Sequence, residues 1–276
     1  MPASARTTIL AMTVLLAASV LALPGSASAS DADAPALPPP SYAAQQMRAG
    51  EGDRGNPGYH YAAAHTQDLR TQADGLRVTL SVHRPRQVRG GLGQHSVAQL
   101  AVGQQADGSY IEAGWRQYVG EPRLFVYWRP ADGGQTCYNF GCGFRPKGAG
   151  LRPGSALQPG SEITIAFQHI GHKWWLKVNG TRSGFYPDRL WRGQFTGTDF
   201  AQLYGEVYTA PRHRVCADMG NGKRARNARA AYMKDARWLG GPALRLHRAG
   251  SVIEVHGYTY LQTSRDSFRY GGPGEC

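Results

Sequence analysis

Apolar and polar residues alternate along most of the chain beyond position 58, and this is the pattern of half-buried β-strands. Residues 76–83 (LRVTLSVH) show the alternation most clearly. Similar runs predict further strands at residues 97–102, 110–119, 124–128, 163–170, 174–178, 203–209 and 252–263. Asn179 and Gly180 both tolerate positive φ, so they predict a tight hairpin directly after one of these runs.

The spacing of these runs indicates the fold class. The chain has 36 glycines and 17 prolines, which separate the short strands. Many short strands with turn signals between them favour a sandwich or a barrel. We predict an all-β fold, an antiparallel β-sandwich built as a single domain from residues 59–276. Residues 224–237 are rich in Ala, Arg and Lys, which are good helix formers, and that stretch stays open between helix and strand.

The N-terminal part has a different character. Arg6 precedes an apolar run at 9–23, and small residues end at Ala29. This order is typical of a secretory signal peptide over residues 1–29, and it predicts a secreted, extracellular protein. The apolar run is shorter than the roughly 20 residues of a membrane-spanning helix, so no membrane span is expected. Residues 30–58 are rich in proline and predict a flexible leader or a short propeptide.

The formal net charge is +12. Basic side chains are concentrated in one stretch, namely Arg212, Arg214, Lys223, Arg224, Arg226, Arg229, Lys234 and Arg237. Such a stretch can hold nucleic acid or an anionic wall polymer. Because no recognised nucleic-acid motif accompanies it, we interpret the stretch as solvated surface and expect no nucleic-acid partner.

The chain contains four cysteines. In an exported protein this number is typical of two disulfides. Cys137 and Cys142 are close enough in sequence to close a small loop, which would leave Cys216 and Cys276. Four cysteines allow three connectivities, and the sequence alone does not choose among them. There is no CxxC pair, and we expect neither a metal nor a cofactor.

Two glutamates fall in the middle of predicted strands. Alternate residues of a strand share a face, so Glu112 lies beside Tyr110, and Glu206 lies between Tyr204 and Tyr208. Tyrosine offers a stacking wall with a polar end, and neighbouring glycines leave room for a ligand backbone. Two carboxyl groups in one cleft can divide the roles of acid and base. The alternative is that both glutamates are ordinary solvent-facing residues.

Gln99 is a further candidate. Residues 104–108 (QQADG) predict a hairpin loop, which would place Gln99 roughly opposite Glu112 on the same face of the sheet. A shift of one residue in register would reverse that face. Gln99 then either belongs to the site or makes a structural hydrogen bond between strands.

Eight short motifs resemble, in the same order, those of the neprosin family. The matching segments are SVAQ at 96–99, IEAGW at 111–115, RLFVYW at 123–128, CYNFGCGF at 137–144, GHKWW at 171–175, GFYP at 184–187, YGEV at 204–207 and YGGPG at 270–274. Neprosin-type proteins are β-sandwich peptidases that cut after proline, preferably in acid, using two glutamates and no metal. The resemblance therefore implies a secreted glutamic prolyl endopeptidase that acts on proline-containing peptides or proteins.

The resemblance also assigns residues. The catalytic pair falls on Glu112 and Glu206, and we expect Glu206 to act as the base and Glu112 as the acid. Substrate or oxyanion contacts are expected from Gln99, Tyr110, Tyr204 and Tyr208. The predicted disulfides are Cys137–Cys142 and Cys216–Cys276, with Cys216 replacing a cysteine found elsewhere in the family.

Two other functions remain open at this point. A β-sandwich with two glutamates beside aromatic residues also fits a glycosidase with two catalytic carboxyl groups. Alternatively, the basic stretch and the aromatic residues fit a non-catalytic binding module for wall polymers. Digestion of a proline-containing peptide, compared with an oligosaccharide panel, separates the three functions.

Overall fold

The structure, a computed structural model, describes residues 58–67, 69, 71–86, 94–106, 108–118, 120–129, 137–139, 143–210, 212–249 and 257–276. All of these residues belong to one compact unit. The predicted signal peptide, nearly all of the predicted leader, and Cys142 lie outside the described residues, as does part of the predicted strand at 252–263.

Seven strands form a front sheet in the order β13-β1-β11-β3-β4-β5-β6. All pairs of neighbouring strands are antiparallel. The strands are β1 (Tyr59–Thr66), β3 (His95–Gly103), β4 (Tyr110–Gln117), β5 (Arg123–Arg129), β6 (Cys137–Tyr138), β11 (Phe200–Tyr208) and β13 (Leu246–Arg248).

Eight strands form a back sheet in the order β14-β15-β12-β2-β8-β9-β10-β7, which is also antiparallel. The strands are β2 (Gly75–Ser81), β7 (Arg145–Pro146), β8 (Glu162–His169), β9 (Lys173–Val178), β10 (Thr181–Pro187), β12 (Ala231–Leu239), β14 (Thr259–Ser264) and β15 (Ser267–Gly271). A short 3-10 helix follows β10 at Asp188–Trp191. The predicted all-β antiparallel sandwich is confirmed. Among the described residues, no helix has the length and apolar character needed to cross a bilayer.

The inner faces of the two sheets form the main hydrophobic core. Ile111, Ala113 and Trp115 of β4 are fully buried there, as the period of two predicts. Five of the six tryptophans belong to this core, and the exception is Trp175. Burial of each large side chain contributes roughly 1.5–3 kcal/mol. The opposite residues of β4, including Glu112, therefore point to the outer face of the front sheet.

Local signals explain part of the topology. Asn179 and Gly180 have φ values of 50° and 80° and join β9 to β10, so the predicted hairpin is confirmed. The stretch left open at 224–237 forms no helix; its C-terminal half enters β12, which pairs with β15 and β2. Tertiary pairing overrides the helix propensity there. Strand β1 was not predicted, because its YHYAAAHT sequence lacks β-branched alternation.

One disulfide lies within the described residues. Cys216 and Cys276 are bonded, with a Cα–Cα distance of 4.9 Å, and they tie the end of the chain to the body of the sandwich. The Cys137–Cys142 pairing remains a prediction, since Cys142 is not among the described residues.

Candidate active site

Both candidate glutamates lie on the outer face of the front sheet. Strand β3 runs between their strands, so Glu112 is opposite Ala101, which is in turn opposite Gln202 of β11. Glu206 is four residues further along β11. The Cα atoms are therefore two strands apart across the sheet and four residues apart along it, which corresponds to roughly 16 Å. The two glutamates are therefore diagonal to each other on this face of the sheet and do not stand directly opposite each other.

Glu112 is fully buried, and its carboxylate has a specific donor. The Tyr204 hydroxyl, itself fully buried, donates a hydrogen bond to Glu112 Oε1 at 2.7 Å. Tyr204 is on β11, two residues from Glu206, so its side chain reaches across β3. A carboxylate that accepts such a bond is held in one orientation and its charge is stabilised.

Glu206 is also fully buried, and its partner is a histidine. His95 Nε2 lies 3.0 Å from Glu206 Oε1, and both side chains have no exposure to solvent. Burial raises the pKa of Glu206 to about 8, while the charge of Arg116 opposes that rise. The His95 contact has the distance of an ion pair, but we assign the neutral pair. Desolvation of two buried charges costs more than their attraction returns. This assignment leaves the proton on Glu206.

Gln99 lies between the two glutamates. It is opposite Gly114 of β4 and opposite Tyr204 of β11, and it is fully buried. The predicted face is therefore correct, but the predicted position opposite Glu112 is wrong by two residues, because Ala101 occupies it. The last pair of this hairpin is Gly103 with Tyr110, so its connection spans residues 104–109 and is one residue longer than the predicted loop. Gln99, Tyr204 and Gly114 thus form the row that separates the two carboxyl groups.

The two glycines near the glutamates serve packing rather than ligand access. A Cβ on Gly114 would lie 2.0 Å from the carbonyl oxygen of Ala98, on the adjacent strand. A Cβ on Gly205 would lie 2.3 Å from the ring of Tyr270, in the core. A side chain at either position would overlap neighbouring protein atoms, so packing requires glycine at both.

Aromatic side chains form two walls on this face. The first wall packs beside Glu206, where the ring centroids of Tyr59 and Tyr208 are 4.5 Å apart and those of Tyr61 and Tyr204 are 5.8 Å apart. The second wall is next to Glu112 and consists of Tyr110, Phe125, Tyr127 and Tyr138, with Val97. Burial raises the pKa of both Tyr59 and Tyr110, so their hydroxyls remain protonated. Between the walls, the face carries the polar side chains of Gln99 and His95 beside the two carboxyl groups.

All six residues predicted for the site share this outer face, and Tyr208 is the least buried of them. His95, Tyr61 and Tyr127 also lie at this site and were not predicted for it from the sequence. His95 had a usable signal, because it precedes Gln99 by four residues on the same strand and so points to the same face. Tyr61 gave no such signal in the sequence, since β1 was not predicted. Both carboxyl groups are fully buried in this structure.

No cluster of three metal-binding side chains occurs within the part of the chain that the structure describes. The comparison with protein families matches the model described as Neprosin over residues 92–273. That match covers more than half of the chain and includes both glutamates.

Several solved structures are similar to this chain at low sequence identity. Scytalido-glutamic peptidase with a peptide-based transition-state analogue is 9% identical, covering 78% of this chain and 98% of its own, with a TM-score of 0.49. SCP-B, an eqolisin-family peptidase in complex with a tripeptide, is 9% identical with the same coverage and a TM-score of 0.43. A tetrameric galectin from the ball sponge Cinachyrella sp. is 14% identical, covering 64% and 99%, with a TM-score of 0.35. Scores at this level say nothing about the activity of this chain.

Proposed function

The chain belongs to the neprosin family, and we propose that it is a secreted glutamic endopeptidase that cleaves peptides after proline at acid pH. The observation that carries this proposal is the pair of fully buried glutamates on one sheet face, each with its own hydrogen-bonding partner. The Cys216–Cys276 disulfide supports export, because disulfides persist in oxidising compartments.

The environments of the two glutamates support separate roles. Glu206, with its pKa raised to about 8, keeps its proton at acid and neutral pH and is the general acid. Glu112 accepts a hydrogen bond from the Tyr204 hydroxyl and is the general base. Glu112 removes a proton from water as the water oxygen bonds to the peptide carbonyl carbon. Glu206 donates its proton as the C–N bond breaks and the amine leaves. A final proton transfer from Glu112 to Glu206 restores both groups.

The spacing of the pair defines where the scissile bond lies. A glutamate carboxyl group lies roughly 4 Å from its Cα, so Cα atoms roughly 16 Å apart leave room for more than one water molecule. Water and the peptide carbonyl therefore fit together between the two carboxyl groups, above the row of Gln99 and Tyr204. We place the Gln99 amide next to the developing oxyanion, where a fixed donor has its largest effect.

The aromatic walls support the preference for proline. A proline ring is flat, apolar and lacks an amide donor, so it loses nothing by contact with a surface that offers few acceptors. Tyrosine rings such as those of Tyr61 and Tyr127 present such a surface on either side of the row. A matched alanine peptide would leave the same surface in contact with water.

The test compares three variants on one substrate pair. Purified protein should cleave a peptide after proline, and it should cut the matched alanine peptide more slowly. Glu112→Gln and Glu206→Gln keep side-chain size but remove the titrating group, so each should lower kcat by about 10²–10⁴-fold. Glu121→Gln is the matched control, because 42% of the Glu121 side chain is exposed and it forms a surface ion pair with Arg84.

Thermal melts must accompany the assay, so that loss of activity is not confused with unfolding. Cleavage should persist in the presence of a chelator. A folded Glu112→Gln or Glu206→Gln variant that cuts at the wild-type rate would show that the pair is not catalytic. Cleavage of an oligosaccharide panel in place of the peptide would identify a glycosidase instead.

A further inference from the structure

Four basic side chains form one row across the outer face of the back sheet. Hydrogen-bonded register places Arg237 of β12 opposite Arg77 of β2, and Arg77 opposite Ala166 of β8. Ala166 is opposite Lys177 of β9, which is opposite Arg182 of β10. We call Arg237, Arg77, Lys177 and Arg182 the basic row. It crosses five adjacent strands and spans roughly 19 Å, at about 4.8 Å per strand.

The basic row faces solvent, because the strand neighbours of Arg77, Lys177 and Arg237 belong to the core. Leu76 and Val78 flank Arg77, for example, and both are fully buried. Arg237 and Arg182 are exposed, and Arg77 and Lys177 are half-buried. Within the described residues, no carboxylate lies within ion-pair distance of any of the four. Glu162, four residues from Ala166 along β8, is paired with Lys234 at 2.7 Å.

This arrangement is unfavourable without a partner. Like charges directly opposite each other on neighbouring strands destabilise a sheet. The basic row contains two such pairs, Arg237 with Arg77 and Lys177 with Arg182. A bound anion removes this repulsion, so the row has the properties of an anion-binding surface rather than of a merely solvated one.

Polar groups complete a shallow site around the row. A groove of about 550 Å³ is lined by Arg77, Lys177 and Arg237, together with the neutral side chains of Thr164, Gln168 and Asn179. No acidic residue lines it. Gln168 Oε1 accepts a hydrogen bond from Lys177 Nζ at 2.8 Å, which holds that ammonium group over the groove. The hydroxyl and amide groups can hydrogen-bond to oxygens between successive anionic groups.

We propose that the basic row binds a linear phosphate-bearing polymer, which lies across the strands of the back sheet. Three of the four cations are arginines, whose planar guanidinium groups match the geometry of phosphate. A linear polymer repeats its charge along its length, as the row does. A compact anion would contact only one of the two like-charged pairs.

The surface does not suit the bases of a nucleic acid. Binding of single strands uses open aromatic rings on which bases stack. The aromatic ring under this row is Trp175, and the Arg182 guanidinium covers it at 4.3 Å from the ring centroid. Trp175 is only 7% exposed. The ligand is therefore expected to carry phosphates without exposed bases.

The basic row and the two glutamates lie on opposite faces of the sandwich, so this proposal does not depend on the proposed peptidase activity. The row also differs from the basic stretch seen in the sequence. Only Arg237 is common to both, and six of the eight residues in that stretch precede β12.

The test measures binding of inorganic polyphosphate to the full chain by calorimetry at several salt concentrations. Four phosphate contacts predict that log K falls with log salt at a slope of about −3. Arg77→Gln with Arg237→Gln should weaken binding about tenfold or more and reduce the slope by about 1.4. Lys177→Gln with Arg182→Gln, at the other end of the row, should act similarly. Both double variants should remain folded, because each relieves a repulsion.

The matched control is Arg152→Gln with Arg189→Gln, which removes two exposed charges outside the row. The control variant should bind polyphosphate with a Kd within about threefold of the wild-type value. It should also show the same slope of log K against log salt as the wild type. Equal losses in the control and in both row variants would show that net charge alone binds the polymer, and would overturn the proposal. Absence of polyphosphate binding would do the same. Tighter binding of polyglutamate or of a single-stranded oligonucleotide would overturn the assignment of the ligand class.

Discussion

Replacing Glu206 with glutamine should make the stability of the protein less dependent on pH. Burial raises the pKa of Glu206 to about 8 in the folded protein, compared with an ordinary value of 4.5 for a glutamate. Between these two values the unfolded chain has released this proton and the folded chain has kept it, so the stability of the wild type falls as pH rises. Below pH 4.5 both the folded and the unfolded protein hold the proton, so this loss of stability is absent.

The size of the effect follows from the same two values. Each pH unit in the window contributes about 1.4 kcal/mol, so ionisation of the unfolded chain lowers the stability of the wild type by about 3 kcal/mol between pH 4 and pH 7. Glutamine does not titrate, and the variant should escape this loss. For a protein of this size the difference corresponds to a relative gain in Tm of about 6–12 °C at pH 7 compared with pH 4.

The assay is a series of thermal melts of wild type and Glu206→Gln from pH 4 to pH 8. The surface variant Glu121→Gln is the control, and its Tm offset from wild type should be small at every pH. A His95→Gln variant tests whether the buried histidine contributes to the slope. If the Tm difference between Glu206→Gln and wild type is the same at all pH values, the burial of Glu206 does not raise its pKa and the reasoning fails.

Three further predictions concern neighbouring features. Tyr204→Phe removes the hydroxyl that donates a hydrogen bond to Glu112. A hydrogen bond to a charged group is worth about 1.5–3 kcal/mol, so kcat/KM should fall about 10–100-fold. Unchanged kinetics would show that this hydrogen bond does not contribute to activity. Gly205→Ala should destabilise the fold by about 1–3 kcal/mol in urea titrations, because its Cβ would overlap Tyr270, and an unchanged midpoint would disprove the contact. Replacing Cys216 and its partner by serine should cost about 4 kcal/mol, given the sequence separation of 60 residues; an unaltered melting curve would contradict this.

The raised pKa of Glu206 also connects stability to the proposed activity. A buried carboxyl group kept protonated is costly for folding but useful as a proton donor, and active sites are common places for this compromise. The rate of peptide cleavage should therefore decline as pH rises through the pKa of Glu206. The Glu206→Gln variant is expected to be more stable at neutral pH and nearly inactive, and these two results together would distinguish a catalytic role from a structural one.

Local patterns were sufficient for most of the fold. The alternation of residues 76–83 and 110–119 correctly predicted β2 and β4, because a strand with one buried face must alternate. The Asn179–Gly180 turn was correct for an equally local reason, the tolerance of positive φ. Strands β1 and β12 could not be predicted in this way. Their sequences have weak strand character, and they form because neighbouring strands offer them unpaired backbone groups.

The sequence by itself determined the sandwich, the shared face of Tyr110 and Glu112, and the motifs that place the chain in its family. Only the tertiary structure decided which groups meet across strands. It paired His95 with Glu206, placed Gln99 between the two glutamates, and aligned the four cations of the basic row from positions 77, 177, 182 and 237. It also buried Glu206, which raises the pKa of that residue to about 8. A pKa depends on burial and on neighbours far apart in sequence, and neither is encoded in the alternation of a single strand.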